Sequence, residues 1–286
     1  GPAGGGGDVV VRVLGGAISE RLNTPVVVDN RPGATGTIGA SLAARSPADG
    51  YTLVYATVDS HSIMPHLMKS LPYDGKKGFT AIAPIGTFQF VLAVHPSVAA
   101  TNVTELAQFA KNSGEKMAFG SWGVGSSGQI FIESIKAAVG IDLLHVPYQG
   151  TAPLLTALVG GEVKGAMLPM QIAEQYAKSG AIRLLAVASP ERLASYPRLL
   201  TLREQGARVD LTPWTGFLGP PQVPADVISR LHRAIEEASA SPPIADRLRQ
   251  LFVVPQSVSP REYQAFVEAE SDRWGQVIRK ARVTLG

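Results

Sequence analysis

The sequence predicts an α/β protein with two lobes, each built on a mainly parallel sheet flanked by helices. Three observations carry that expectation. The chain has 286 residues, and at roughly 150 residues per domain this favours two domains over one. From Pro96 to Ala188 helix-patterned and strand-patterned segments alternate regularly, the signature of right-handed βαβ units and a parallel sheet covered on both faces. After Pro221 the pattern is helical and strandless, so this tail must pack on a sheet laid down earlier. The middle region is self-contained, which assigns the tail to the N-terminal sheet. The expected lobes are therefore 1–98 with 214–286, and 99–213.

Each element has a local reason. Asp8 is a good N-cap, and Val9, Val13, Leu14, Ile18 and Leu22 follow near helical spacing, giving a helix over 9–22. Thr24-Pro25 ends it, and Val26-Val27-Val28 reads as a strand. Arg31-Pro32-Gly33-Ala34-Thr35-Gly36 is a glycine-rich turn opening a helix through Ala44. Pro47-Ala48-Asp49-Gly50 turns the chain into a strand over 51–56. A short helix near 61–69, interrupted by Pro65, precedes two apolar runs within 79–95. The second half then alternates helices at 104–112, 127–139, 152–159 and 171–178 with strands at 117–120, 143–146, 163–168 and 183–188. A short strand over 214–218 is closed by Pro220-Pro221, and helices follow at 225–240, 243–251 and 260–282.

Composition excludes several classes. Hydrophobic residues make up 45% and charged residues 17%, a globular balance. The net charge is +3, small and unclustered, which argues against nucleic acid as a partner. There is no cysteine, hence no disulfide, thiolate nucleophile or cysteine-ligated metal. The five histidines, at 61, 66, 95, 145 and 232, lack metal-ligand spacing, and HExxH, GxSxG and a P-loop lysine are all absent. No catalytic residue, cofactor or metal is expected. No apolar run is long enough for a membrane helix. The chain opens on a loop, and any signal peptide is expected upstream of it.

Four segments stand out as ligand-binding candidates. Gly123-Val124-Gly125-Ser126-Ser127-Gly128 matches GxGxxG between a strand and a helix. The acidic residue that a dinucleotide site wants at the end of the next strand is missing. What remains is backbone N–H groups and hydroxyls at a helix N-terminus, from Ser121 and Trp122 through Gly125, Ser126 and Ser127, a place for a carboxylate or similar anion. Ala3, Gly4 and Gly5 lead into the first helix, where glycines let a ligand or ordered water approach the backbone; Asp8 reads as a cap more than a contact. Gln149-Gly150-Thr151-Ala152 joins a strand to a helix, with Thr151 either N-cap or ligand donor, or both. Thr57, Ser60 and His61 also follow a strand, where His61 reads as a hydrogen-bonded loop histidine more than a base. Trp122 and Trp214 either wall a cleft or fill core, and Arg31 reads as a turn arginine. With connections near Pro96 and Leu218 acting as a hinge, a small ligand is expected in a cleft between the lobes.

These stretches, taken in order, resemble the Bug family of extracytoplasmic solute receptors, the receptor group of the tripartite tricarboxylate transporters. The resemblance rests on Pro2-Ala3-Gly4-Gly5…Asp8, Val26-Val27-Val28-Asp29-Asn30-Arg31-Pro32-Gly33-Ala34…Gly36…Ile38-Gly39-Ala40, Asp49-Gly50-Tyr51-Thr52-Leu53 and Leu71-Pro72-Tyr73-Asp74. It continues with Gly120-Ser121…Gly123…Gly125-Ser126, His145-Val146-Pro147-Tyr148…Gly150…Ala152-Pro153, Gly160-Gly161, 184–189, Trp214…Gly216 and Trp274. Each is weak alone; the ordered set covers essentially the whole chain. The resemblance implies a type II periplasmic-binding-protein fold, a periplasmic location, monomers, and delivery of a small carboxylate solute to membrane permease subunits. It places a ligand carboxylate on Ser121 to Ser127 with Thr151 nearby, and bridging waters on Ala3 to Gly7. Two departures are notable. The family's apolar strand ahead of the first glycine loop is not in this chain, which is expected to leave a central sheet edge exposed. The segment Met167-Leu168-Pro169-Met170-Gln171 is unusually sulfur-rich and apolar, suiting a ligand with an apolar or aromatic body. The rival readings are the effector domain of a regulator with the same fold, which would need a DNA-binding module, and a dinucleotide-dependent enzyme.

Overall fold

The computed structural model describes residues 4–209, 211 and 213–285. In chain order its elements are α1 (Gly6–Leu22), a 3-10 turn (Ala34–Gly36), α2 (Thr37–Ala44), β1 (Val54–Thr57), a π-helical turn (Asp59–Ile63), α3 (Met64–Leu67), β2 (Thr80–Phe88) and β3 (Phe90–Val94). Then come α4 (Val103–Asn112), β4 (Met117–Ser121), α5 (Ser127–Val139), β5 (Leu143–Pro147), α6 (Thr151–Val159), β6 (Gly165–Pro169), α7 (Met170–Lys178) and β7 (Arg183–Val187). The chain finishes with β8 (Trp214–Gly219), α8 (Ala225–Ala240), α9 (Pro242–Gln250), β9 (Val253–Pro255) and α10 (Pro260–Ala281). It divides into two units, Gly1–Phe88 with Pro213–Gln276, and Gln89–Thr212 with Val277–Gly286.

The first unit is built on a four-stranded sheet of order β1-β8-β2-β9. Every pairing in it is antiparallel, which corrects the mainly parallel arrangement expected for this lobe. The crossover rule holds for β1 and β2, which run the same way. However, β8 comes in from far along the chain and inserts between them in the opposite sense. Val10, Leu14 and Ile18 of α1 recur every four residues and pack with Ile82 and Ile85 of β2, Phe217 of β8, and Leu231 and Ile235 of α8. Leu248 of α9 and Val253 of β9 close the same core. The tail thus contributes α8, α9 and most of α10 to this unit, together with the short strand β9, so it is not strandless as expected.

The second unit carries a five-stranded sheet of order β5-β4-β6-β3-β7. β4 is parallel to β5 and to β6, while β3 runs antiparallel to β6 and β7. All five residues of β3 are buried, as a central strand covered on both faces requires. This strand moves the unit boundary ten residues upstream of the sequence expectation. Phe90 to Val94 pair with Gly165 to Pro169 and with Arg183 to Val187, so they belong to the second sheet; only Gln89 separates them from β2.

Three local expectations change. α1 begins at Gly6, with Gly5 as N-cap, so Asp8 is the third helical residue instead of the cap. Val26-Val27-Val28 forms no ladder, and Val27 is 84% exposed. A β-prone triplet gains strand structure only from a partner's hydrogen bonds, and no described strand lies beside it. β9, only three residues long, carries no periodicity to read.

Candidate functional site

In the second unit β5, β4 and β6 are adjacent and parallel, so their carboxyl ends lie side by side. Each leads directly into a helix, α6, α5 and α7 respectively. Three helix N-termini therefore gather at one end of the sheet, with first-turn N–H groups lacking intrahelical acceptors and the helix dipoles favouring negative charge.

The β4–α5 turn is tied together by its own side chains. Ser121 Oγ donates to Gly123 O at 2.9 Å and contacts His145 Nε2 at 2.7 Å. Ser126 is the N-cap of α5: its Oγ accepts from Gln129 N and donates to Gly123 O at 2.6 Å. Gly125 N donates to Gln129 Oε1 at 2.7 Å; its φ of 71° lies in the left-handed region that glycine permits. Ser121 and Ser126 are both completely buried. Their hydroxyls are thus hydrogen-bonded inside the turn, where they were expected as direct ligand donors. Ser127 is buried as well. Trp122 lies flat on the start of α5, where a Cβ on Gly128 would come within 2.7 Å of the indole, and its ring centroid is 5.3 Å from that of Phe90.

The β5–α6 turn differs. Gly150, at φ 112°, is the N-cap, and Thr151 is the first helical residue, so Thr151 is not the cap. The Thr151 hydroxyl and the N–H groups of Thr151 and Ala152 donate to no other described residue, and Gln149 beside them is exposed. Two hydrogen bonds lock this turn to its neighbour: Tyr148 N to Ser121 O at 2.9 Å and Gly150 N to Trp122 O at 3.2 Å. Met170 opens α7 but is fully buried, its N–H donating to Gln89 O. Its side chain is part of the core, where a ligand contact was expected.

In the first unit Ala3 lies outside the described residues. Gly4 N donates to Asp8 Oδ2 at 2.9 Å. Arg12 Nε meets the same oxygen at 3.0 Å, and Asn30 Nδ2 donates to Oδ1 at 2.9 Å. The Arg12 guanidinium, the Gly4 N–H and the Asn30 amide hold the Asp8 carboxyl down at about 2. A carboxylate with three donors is part of the helix entrance, with Gly5 as its cap. Arg31 pairs with Asp29 at 2.9 Å.

Thr57, Ser60 and His61 form a second cluster. Ser60 Oγ contacts Thr57 Oγ1 at 3.2 Å and His61 Nδ1 at 2.9 Å, and Tyr73 OH donates to Ser60 O at 2.6 Å. His61 is fully buried among the rings of Tyr73, Phe79 and Trp214. Burial pulls its pKa down to about 3, and its Nε2 has no hydrogen-bond partner. His61 is therefore a neutral core histidine instead of a residue facing a ligand. Trp214 is also core, its Nε1 donating to Ser62 Oγ at 3.1 Å.

Sequence reasoning missed His145, Phe90 and Gln129, which shape the β4–α5 turn. A histidine inside an otherwise apolar strand was the available signal for the first. Among the described residues no cluster of three or more His, Asp or Glu could hold a metal ion. No described helix is long and apolar enough to cross a membrane.

The family described as the tripartite tricarboxylate transporter family receptor matches residues 10–283. Among solved structures the chain is similar to the periplasmic binding protein BugD, at 29% identity and TM-score 0.90 over 99% of this chain and 95% of that one. It is also similar to an R. palustris protein solved with adipate, at 29% identity and TM-score 0.93 over 99% and 96%. MatC from Rhodopseudomonas palustris, solved with bound malate, matches at 25% identity and TM-score 0.88 over 97% and 96%.

Proposed function

Since the chain belongs to the tripartite tricarboxylate transporter receptor family, the Bug receptors, we propose that it is a periplasmic receptor that captures a small carboxylate and passes it to membrane permease subunits. The fold is that of a periplasmic binding protein, and the family is one of solute receptors, not of enzymes. The observation that carries the reading is the unpartnered donor set opening α6, the Thr151 hydroxyl and the Thr151 and Ala152 N–H groups. They stand beside the N-terminus of α5, where a carboxylate would complete two helix ends at once. The similar structures solved with adipate and malate support an acid as ligand. On this reading Ser121 and Ser126 hold the turn, while Thr151, Ala152 and the first residues of α5 meet the ligand.

A thermal-shift screen tests it, using adipate, malate and other di- and tricarboxylates beside their amides. An acid at 100 times its Kd adds about 2.7 kcal/mol, which for a protein of this size raises Tm by roughly 5–10 °C. A screen in which no acid raises Tm, or in which the amides match the acids, overturns the carboxylate reading.

A further inference from the structure

Ser121 Oγ has three neighbours: Gly123 O at 2.9 Å, Gly123 N at 3.3 Å and His145 Nε2 at 2.7 Å. A hydroxyl has one hydrogen and two lone pairs. The Gly123 N–H can only donate, so it takes one lone pair. The hydroxyl hydrogen goes to the Gly123 carbonyl, which can only accept. The remaining lone pair faces His145, whose Nε2 must then carry a hydrogen. With the Gly123 carbonyl shared between Ser121 and Ser126, all three contacts of Ser121 Oγ are satisfied together only with His145 as the Nε2–H form.

The same serine is the junction of both turns. Its carbonyl accepts from Tyr148 N, and next to it the Trp122 carbonyl accepts from Gly150 N. Gly123 O, on the other side, accepts from both Oγ and N of Ser126, the cap of α5. His145 thus holds the residue that aligns the N-termini of α5 and α6. It is itself fixed in register on β5, opposite Phe119 of β4. The geometry points to His145 as the positioning residue of the anion site: by donating from Nε2 to Ser121, it fixes the two turns so that their donors converge on one ligand. Burial holds its pKa below the usual histidine value, in keeping with a neutral ring.

This inference rests on the receptor reading for its ligand, and its experiment has one arm that needs no ligand. His145→Leu removes the donor and keeps the bulk; His145→Gln returns an amide N–H at similar reach. Calorimetry with malate and adipate should show His145→Leu binding roughly 3- to 10-fold more weakly, one hydrogen bond's worth, and His145→Gln within about twofold of the parent. In the ligand-free parent, a long-range ¹H–¹⁵N spectrum should show His145 as the Nε2–H tautomer. Amide exchange at Gly123, Gly125 and Ser126 should be faster in His145→Leu and restored in His145→Gln. The inference is overturned by an Nδ1–H tautomer, or by a His145→Leu variant that binds and exchanges like the parent. If the parent binds neither acid, calorimetry is repeated with whichever acid the thermal-shift screen returns, a screen that returns none counts against the receptor reading, and tautomer and exchange still decide for or against the positioning role. Should His145→Leu fail to fold, the parent's tautomer and Ser121→Ala, which must reproduce the accelerated exchange, decide it.

Discussion

Lowering the pH from 7.5 to 5.0 should destabilise the folded chain by about 2 kcal/mol through His61 alone. The ring is fully buried, with Nδ1 on Ser60 Oγ and Nε2 among Tyr73, Phe79 and Trp214. Its folded pKa is about 3 against 6.5 for the exposed side chain. The unfolded chain therefore takes up a proton below 6.5 that the folded chain refuses until about 3. The contribution of the neutral ring is fully present above 6.5 and is lost as the pH falls toward 3, at about 1.4 kcal/mol per pH unit. Urea unfolding at pH 7.5 and 5.0, on the parent and on His61→Phe, measures it. The variant keeps an aromatic ring in the same aromatic setting and cannot titrate. The parent should lose about 2 kcal/mol more than the variant between the two pH values. Equal losses in the two proteins would show that His61 is protonated or solvated in the native state, and would refute its place in the core.

Other substitutions separate holding from binding. Ser126→Ala removes the cap of α5 and should cost about 1 kcal/mol, or roughly 2–4 °C in Tm by calorimetric scanning. Thr151→Ala removes a hydroxyl with no partner among the described residues, so Tm should stay within about 1 °C while carboxylate affinity falls roughly tenfold by titration; unchanged affinity would move the ligand away from α6. Gly128→Ala drives a methyl into the Trp122 ring and should destabilise by about 1–3 kcal/mol in urea, with a changed indole emission. Asp8→Asn should lower Tm at neutral pH. The gap to the parent should close as the pH falls from about 4 toward 2, because the parent's carboxylate, held at about 2, is lost over that range.

Where structure was decided locally, it could be read from the sequence. The bounds of α5 and α8 agree with their expected ranges, because Ser126 and Gly140 cap the one and prolines flank the other. Val26 to Val28 have the composition of a strand and none of its partners, and strand formation depends on a neighbour that a single segment cannot specify. The direction of β8 between β1 and β2 is equally non-local. At the site, the glycine-serine turn was legible as a helix entrance, while the division of labour within it was not. Ser121, Ser126 and Thr151 are alike as hydroxyls. Only the fold shows that the first two bond to Gly123 O and the third to no described residue.

The placement of the three tryptophans makes the protein its own optical instrument. Trp214 and Trp274 are sealed in the first unit, whereas Trp122 is the second unit's one indole, partly exposed on the turn that opens α5. A water-soluble quencher should therefore extinguish Trp122 alone while the chain is folded. A Trp122→Phe variant would make the remaining fluorescence a record of the first unit only. With no cysteine in the sequence, a dye attached through one introduced thiol would have a single address, and Trp122 could serve as its energy donor within the second unit.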